Sequence, residues 1–191
     1  MMVIPLIVVL ATALLTPVTA YAQAERSYKV LATSKTSTMQ KEMQEAGDAS
    51  YRFVAVMGGE TAIGGKEVVV LMERAAADRT KYSYRLLATS KTSTLQKELQ
   101  EAADAGWEAV GQTVFSSTFG GSETAGILEK SSETPSKIRY DYKLVATSKT
   151  STLQKEIQEA ADQGYQAVGM TVGKTAMGGS EIVVITRKVV R

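Results

Sequence analysis

Within residues 84–130 the spacing of apolar positions changes from one stretch to the next, and each change marks an element. Tyr84-Arg-Leu-Leu-Ala88 is a short run of strand character. A hydroxyl-rich turn follows. Leu95, Leu99, Ala102 and Ala103 then recur at i, i+4, i+7 and i+8, which predicts a helix from about Thr94 to Asp104. Ser93 and Gln96 have the spacing of a capping box at its start, and Gly106 is placed to end it in the left-handed region. A second strand, Trp107–Val114, comes next, with Gly120-Gly121 as the turn that sends the chain back. The returning strand is clearest elsewhere, as Val68-Val-Val-Leu-Met72 and Ile182-Val-Val-Ile185.

The whole pattern occurs three times. The string Ala-Thr-Ser-Lys-Thr-Ser-Thr stands at 32–38, 88–94 and 146–152. Extended outward, the copies are residues 28–74, 84–130 and 142–188, each 47 residues long and alignable without a gap. The second and third match at 30 of the 47 positions. Such a period is the signature of repeated supersecondary units.

The third strand of each copy is apolar at successive positions, not alternating, as expected of a strand buried on both faces. Such a strand belongs in the middle, which predicts a three-stranded antiparallel sheet of order 1-3-2 with one helix on one face. The fold class is therefore α+β, three tandem β-α-β-β modules. One helix covers one face, so a neighbouring module has to cover the other. A unit of 47 residues is marginal alone in any case.

Residues 1–24 read differently. They contain no charged side chain, run apolar from Val3 to Leu15, and end in small-x-small sites at Ala20-Tyr21-Ala22 and Ala22-Gln23-Ala24. This predicts a secretory signal peptide cleaved after Ala22 or Ala24, hence a periplasmic or extracellular protein with no stable membrane insertion after cleavage. The apolar run is short for a span of about 20 residues.

Composition narrows the chemistry. The chain has no cysteine and no histidine, which removes disulfides, Cys/His metal sites and the Ser-His-Asp and Cys-His nucleophile arrangements. Net charge is +2 with no basic run, unlike the footprint of a nucleic-acid binder. The expectation is a protein that is no enzyme, with neither metal nor cofactor.

Two features are candidate sites. Lys35, Thr36 and Ser37, with Lys91, Thr92, Ser93 and Lys149, Thr150, Ser151, lie at the predicted helix starts, where backbone N–H groups and the dipole favour anions. A helix cap copied by duplication explains the same residues. Tyr51, Trp107 and Tyr165 each follow the helix-ending turn and offer rings for stacking a planar ligand, though an aromatic at this place is more often a core anchor bridging helix and sheet. Ile63, Phe119 and Met177, one before each Gly pair, are candidates for docking on a neighbouring module or chain.

Tyr-Lys-Leu-Val at 142–145, Leu153 and Ile157 on the helix, Gly106-Trp-Glu-Ala-Val110 and the closing Arg187-Lys188 carry a resemblance. They resemble a family of small bacterial modules, a domain of unknown function with a Tyr-Lys-Val strand, a Gly-Trp-Glu-Leu-Val strand and a Lys-Arg end. The resemblance implies the β-α-β-β fold and supplies no activity. The element order is also similar to dodecins, flavin-binding proteins in which an aromatic at the start of strand 2 and a Gln on strand 3 hold the flavin. Tyr51, Trp107 and Tyr165 take the aromatic position, while strand 3 has no Gln in any copy.

The expected function is that of an exported repeat protein acting by binding or self-assembly, with the repeats packed on one another and a homo-oligomer as the candidate assembly. The alternative is a dodecin-type protein with small-ligand pockets between modules.

Overall fold

The computed structural model describes residues 25–61, 65–116, 122–133, 138–174 and 179–190. The first module consists of β1 (Arg26–Thr33), α1 (Thr36–Asp48), β2 (Arg52–Thr61) and β3 (Gly65–Ala75). The second is β4 (Tyr82–Thr89), α2 (Thr92–Asp104), β5 (Glu108–Ser116) and β6 (Ser122–Ser131), and the third is β7 (Arg139–Thr147), α3 (Thr150–Asp162), β8 (Gln166–Lys174) and β9 (Ser180–Val190). Each forms an antiparallel sheet with the third strand in the middle: β1-β3-β2, β4-β6-β5 and β7-β9-β8. The 1-3-2 order read from the apolar third strand is the observed one. Residues 1–24 and the tip residues Ile63, Phe119 and Met177 lie outside the described residues.

The helices start earlier than their apolar spacing suggests. Each begins at the first Thr of Thr-Ser-Thr, with Lys35, Lys91 or Lys149 as an extended N-cap residue making no side-chain cap hydrogen bond. Ser93 is thus already helical and the Ser93/Gln96 capping box does not form; the amide of Gln96 is engaged by the neighbouring module instead. The hydroxyl string acts one turn earlier. Thr33, Thr89 and Thr147 accept from the N–H of Lys35, Lys91 and Lys149 at 3.2, 3.2 and 3.3 Å, tightening the strand-to-helix corner.

All three helices end in a Schellman motif. Tyr51, Trp107 and Tyr165 donate their N–H to Ala46, Ala102 and Ala160, and the preceding residue donates to Gly47, Ala103 and Ala161. The residue at the turn has φ of 83° in Gly106 and 87° in Gly164, and 66° in Ser50, the only non-glycine with positive φ among the described residues.

Paired strand residues share a face, so the register sorts each sheet into two faces. One carries the module's own helix: Leu31, Val70 and Met72 lie under Met39, Met43 and Ala46. In the second and third sheets the other is covered by the preceding module, while in the first it stays open, with Tyr28 and Val30 exposed. Tyr84, Leu86, Ala125 and Ile127 of the second sheet complete the core of the first module, and Tyr142 and Ile185 of the third complete that of the second. Two of the helices are shared between modules: α1 packs on β1 and β4, and α2 on β4 and β7, whereas α3 packs within its own module. Burying Leu95 and Leu99 fully in such a shared layer stabilises by roughly 1.5–3 kcal/mol each.

Away from the helices the sheets touch directly, β2 on β5 and β5 on β8. Glycine permits that approach. A Cβ on Gly111 would stand 2.5 Å from the Phe53 ring, and one on Gly169 would stand 3.0 Å from Cβ of Gln112.

Candidate functional site: a repeated module interface

The joint between modules is made of polar contacts laid over this shared core. Strand 1 of each module is a sheet edge, and its outward N–H groups need partners. Two glutamines of the preceding helix supply them. Gln44 Oε1 accepts from Tyr84 N–H and Gln40 Oε1 from Leu86 N–H, both at 3.0 Å. At the second joint Gln100 accepts from Tyr142 N–H at 3.1 Å and Gln96 from Leu144 N–H at 2.7 Å. There the amides also donate, Gln96 to Tyr142 O and Gln100 to Tyr140 O, at 2.6 and 3.3 Å. The helix face thus pairs with the strand edge much as another strand would. Gln44 and Gln100 are oriented by Asp48 and Asp104, which accept from Nε2 at 3.0 and 3.2 Å.

A tyrosine locks each joint. Every second strand has a bulge, between Phe53 and Ala55, Ala109 and Gly111, and Ala167 and Gly169. Tyr84 Oη accepts from Phe53 N–H at 2.8 Å, and Tyr142 Oη from Ala109 N–H at 2.7 Å, so each hydroxyl crosses to the bulge of the preceding module. Tyr84 also donates to Glu129 Oε2 at 2.9 Å. Burial, and then the Glu129 charge, push the Tyr84 hydroxyl far above the usual phenol value, and burial raises Tyr142. Both stay neutral hydrogen-bonding groups.

An ion pair crosses each joint, with its sign reversed from one to the next. Arg52 of the first module meets Glu129 of the second at 3.0 Å, whereas Glu108 of the second meets Arg187 of the third. Positions 52, 108 and 166 are equivalent, and the third is the neutral Gln166.

Of the candidate ligand residues, Thr92 and the three aromatics make contacts within the protein. Lys35, Lys91 and Lys149 are exposed at the helix starts, as are Ser37, Ser93 and Ser151. Thr36 is half-buried and Thr150 exposed, while Thr92 Oγ1 donates to Glu181 of the third module at 3.2 Å, which puts a carboxylate beside the start of α2. Tyr51, Trp107 and Tyr165 lie at the helix ends, half-buried, with the strand-3 cation over each ring: Arg74 at 4.9 Å, Lys130 at 6.0 Å and Lys188 at 4.7 Å. Arg74 and Lys130 also donate to the last-turn carbonyls of Ala49 and Ala105. The aromatic and the closing basic residue form an internal latch between helix end and sheet, and the three rings, one per module, are not brought together. No cluster of acidic ligands suited to a metal occurs among the described residues, and no helix there is long and apolar enough to cross a membrane.

The residues that pattern reading missed are the glutamines, Gln40, Gln44, Gln96 and Gln100. Their signal was present, because the Gln-x-x-x-Gln spacing recurs in every copy on the helix flank beside the apolar stripe.

Comparison with family models, with curated proteins and with solved structures finds no match to this chain.

Proposed function

We propose that this chain is an exported, non-enzymatic repeat protein that acts by binding or self-assembly through the free faces of its end modules. One observation carries the reading. The outward face of the first sheet and the helix-bearing face of the third are the two halves of a joint formed twice inside the chain. Both leave large apolar side chains exposed, Tyr28, Val30 and Met57 at one end and Met170 and Val172 at the other. Apolar surface of this kind marks interaction sites.

Native mass spectrometry of the full chain, expressed from its own start codon with its own leader, tests both parts. The expected spectrum shows multiples of a mature chain that begins after Ala22 or Ala24. A strict monomer carrying no bound polypeptide or ligand would remove the assembly and binding reading, and an N-terminus at Met1 would remove export.

A second reading has one observation in its favour. A cleft of about 360 Å³ lies where the second strands converge, lined by Gly58, Lys66, Thr113, Phe115 and Val172 from all three modules. Small-ligand sites start at about 300 Å³. A constant mass excess on every chain in the same spectrum, or colour in the purified protein, is the outcome this reading requires.

A further inference from the structure

We propose that the two end faces belong to each other across chains. Helix α3 of one copy docks on the β1 edge and outward sheet face of a second, reproducing the internal joint. This rests on the assembly reading above and specifies its partner, a second copy of this chain, and its geometry, head to tail.

The donor half is complete in α3. Its sequence, Thr-Ser-Thr-Leu-Gln-Lys-Glu-Ile-Gln-Glu-Ala-Ala-Asp, differs from α2 only at Ile157. Gln154 and Gln158 stand where Gln96 and Gln100 meet β7, and both are exposed. Gln158 Nε2 is already held by Asp162 at 2.9 Å, the bond that orients Gln44 and Gln100 in the formed joints. Met43 and Leu99 are fully buried by the next module, whereas their counterpart Ile157 is only half-buried.

The acceptor edge is present in β1, although Ala55 stands on β2 at the position where Gly111 and Gly169 let the internal sheets approach. Tyr28 and Val30 occupy the positions of Tyr84 and Leu86, whose N–H groups take the glutamines. Tyr28 is 58% exposed, against 3% for Tyr84 and 2% for Tyr142. In the docked pair its hydroxyl accepts from Ala167 N–H at the β8 bulge, as Tyr84 and Tyr142 do at theirs. The flanking position brings Gln166 against Glu73, an amide that can donate to a carboxylate.

Only the two end faces are free to meet another copy, because every other module face is already taken up in an internal joint. The third-to-first joint leaves the internal Arg52–Glu129 and Glu108–Arg187 pairs intact and sets no like charges against each other. It is weaker than the internal ones, because no ion pair crosses it and Arg26, bound to Glu73 at 2.8 Å, replaces Tyr82 and Tyr140. Association should therefore depend on concentration. A contact between different patches repeats, adding three modules per chain to a row or a closed ring.

The absence of cysteine makes the test direct. Val30→Cys and Gln154→Cys are made separately in the full chain, leaving Tyr28 and Gln158 in place, and are treated with a short bis-maleimide alone and mixed. The expected result is a cross-link between positions 30 and 154 that appears only in the mixture. Cross-linking of either variant with itself alone would overturn the head-to-tail geometry while leaving self-assembly standing. A second variant, Gln154→Ala with Gln158→Ala, changes only exposed side chains and should weaken association about tenfold or more at unchanged helix content. Unchanged association would also overturn this docking mode alone. A chain that stays monomeric at every concentration overturns the docking and the self-assembly behind it, and a different polypeptide recovered on the end faces overturns only the choice of a second copy.

Discussion

At the scale of single residues, three equivalent helix ends share one geometry and two residue types. Gly106 and Gly164 suit the left-handed turn, and Ser50 holds it at φ 66° against the steric preference of a residue with a Cβ. Ser50→Gly should therefore stabilise the protein by about 1 kcal/mol. Thermal unfolding would register this as a rise in Tm, and a lower Tm would mean that the small buried Ser50 side chain contributes more than its backbone costs. The glycine cap was legible in the sequence because left-handed backbone selects for glycine. Tyr51, Trp107 and Tyr165 were legible as anchors between helix and sheet, but the partners of their rings were not. An aromatic after a cap looks the same whether it awaits a ligand or lies under Arg74, Lys130 or Lys188, because those cations arrive from a strand more than 20 residues on.

At the scale of elements, the informative contact is helix to strand edge. Gln40→Ala with Gln44→Ala removes both acceptors from the Tyr84 and Leu86 N–H groups, and should cost about 1–3 kcal/mol in total. Chemical denaturation measures the loss, and amide exchange localises it, with Tyr84 and Leu86 losing protection first. If those amides stayed protected, water or main chain would be filling the edge and the glutamines would be incidental. Apolar spacing gave the helices and strands to within a few residues, since burial imposes the periods of 3.6 and 2. It had nothing to say about Gln96, which fits a capping box, a solvated flank or a strand-edge partner equally well until the neighbouring module is in place.

At the scale of the whole molecule, shared helices bind the modules into one unit. Each of α1 and α2 supplies core to two sheets, so losing one module strips a face from the next. Unfolding should be a single transition. Trp107, the only tryptophan and a residue of the second module, reports local structure by fluorescence, while far-ultraviolet circular dichroism reports all three. The two curves should coincide in denaturant. Separate midpoints would show that the joints are weaker than their contacts indicate. The reversal of charge between Arg52–Glu129 and Glu108–Arg187 orders the modules, because a swapped joint opposes like charges in a partly buried setting.

The sequence by itself determined the module: its repeat, its element order, the central third strand and the need for a neighbour on the second face. Those features follow from local periodicity and from the area one helix can cover, both of which are written in consecutive residues. Only the tertiary structure decided how neighbours meet. The pairing of helix glutamines with a strand edge, the tyrosine at the bulge and the alternating ion pairs join residues some 31 to 79 positions apart. No local pattern encodes which polar side chain will find which backbone group. That choice is made when the sheets stack, and it leaves the same interface half-built at both ends of the chain.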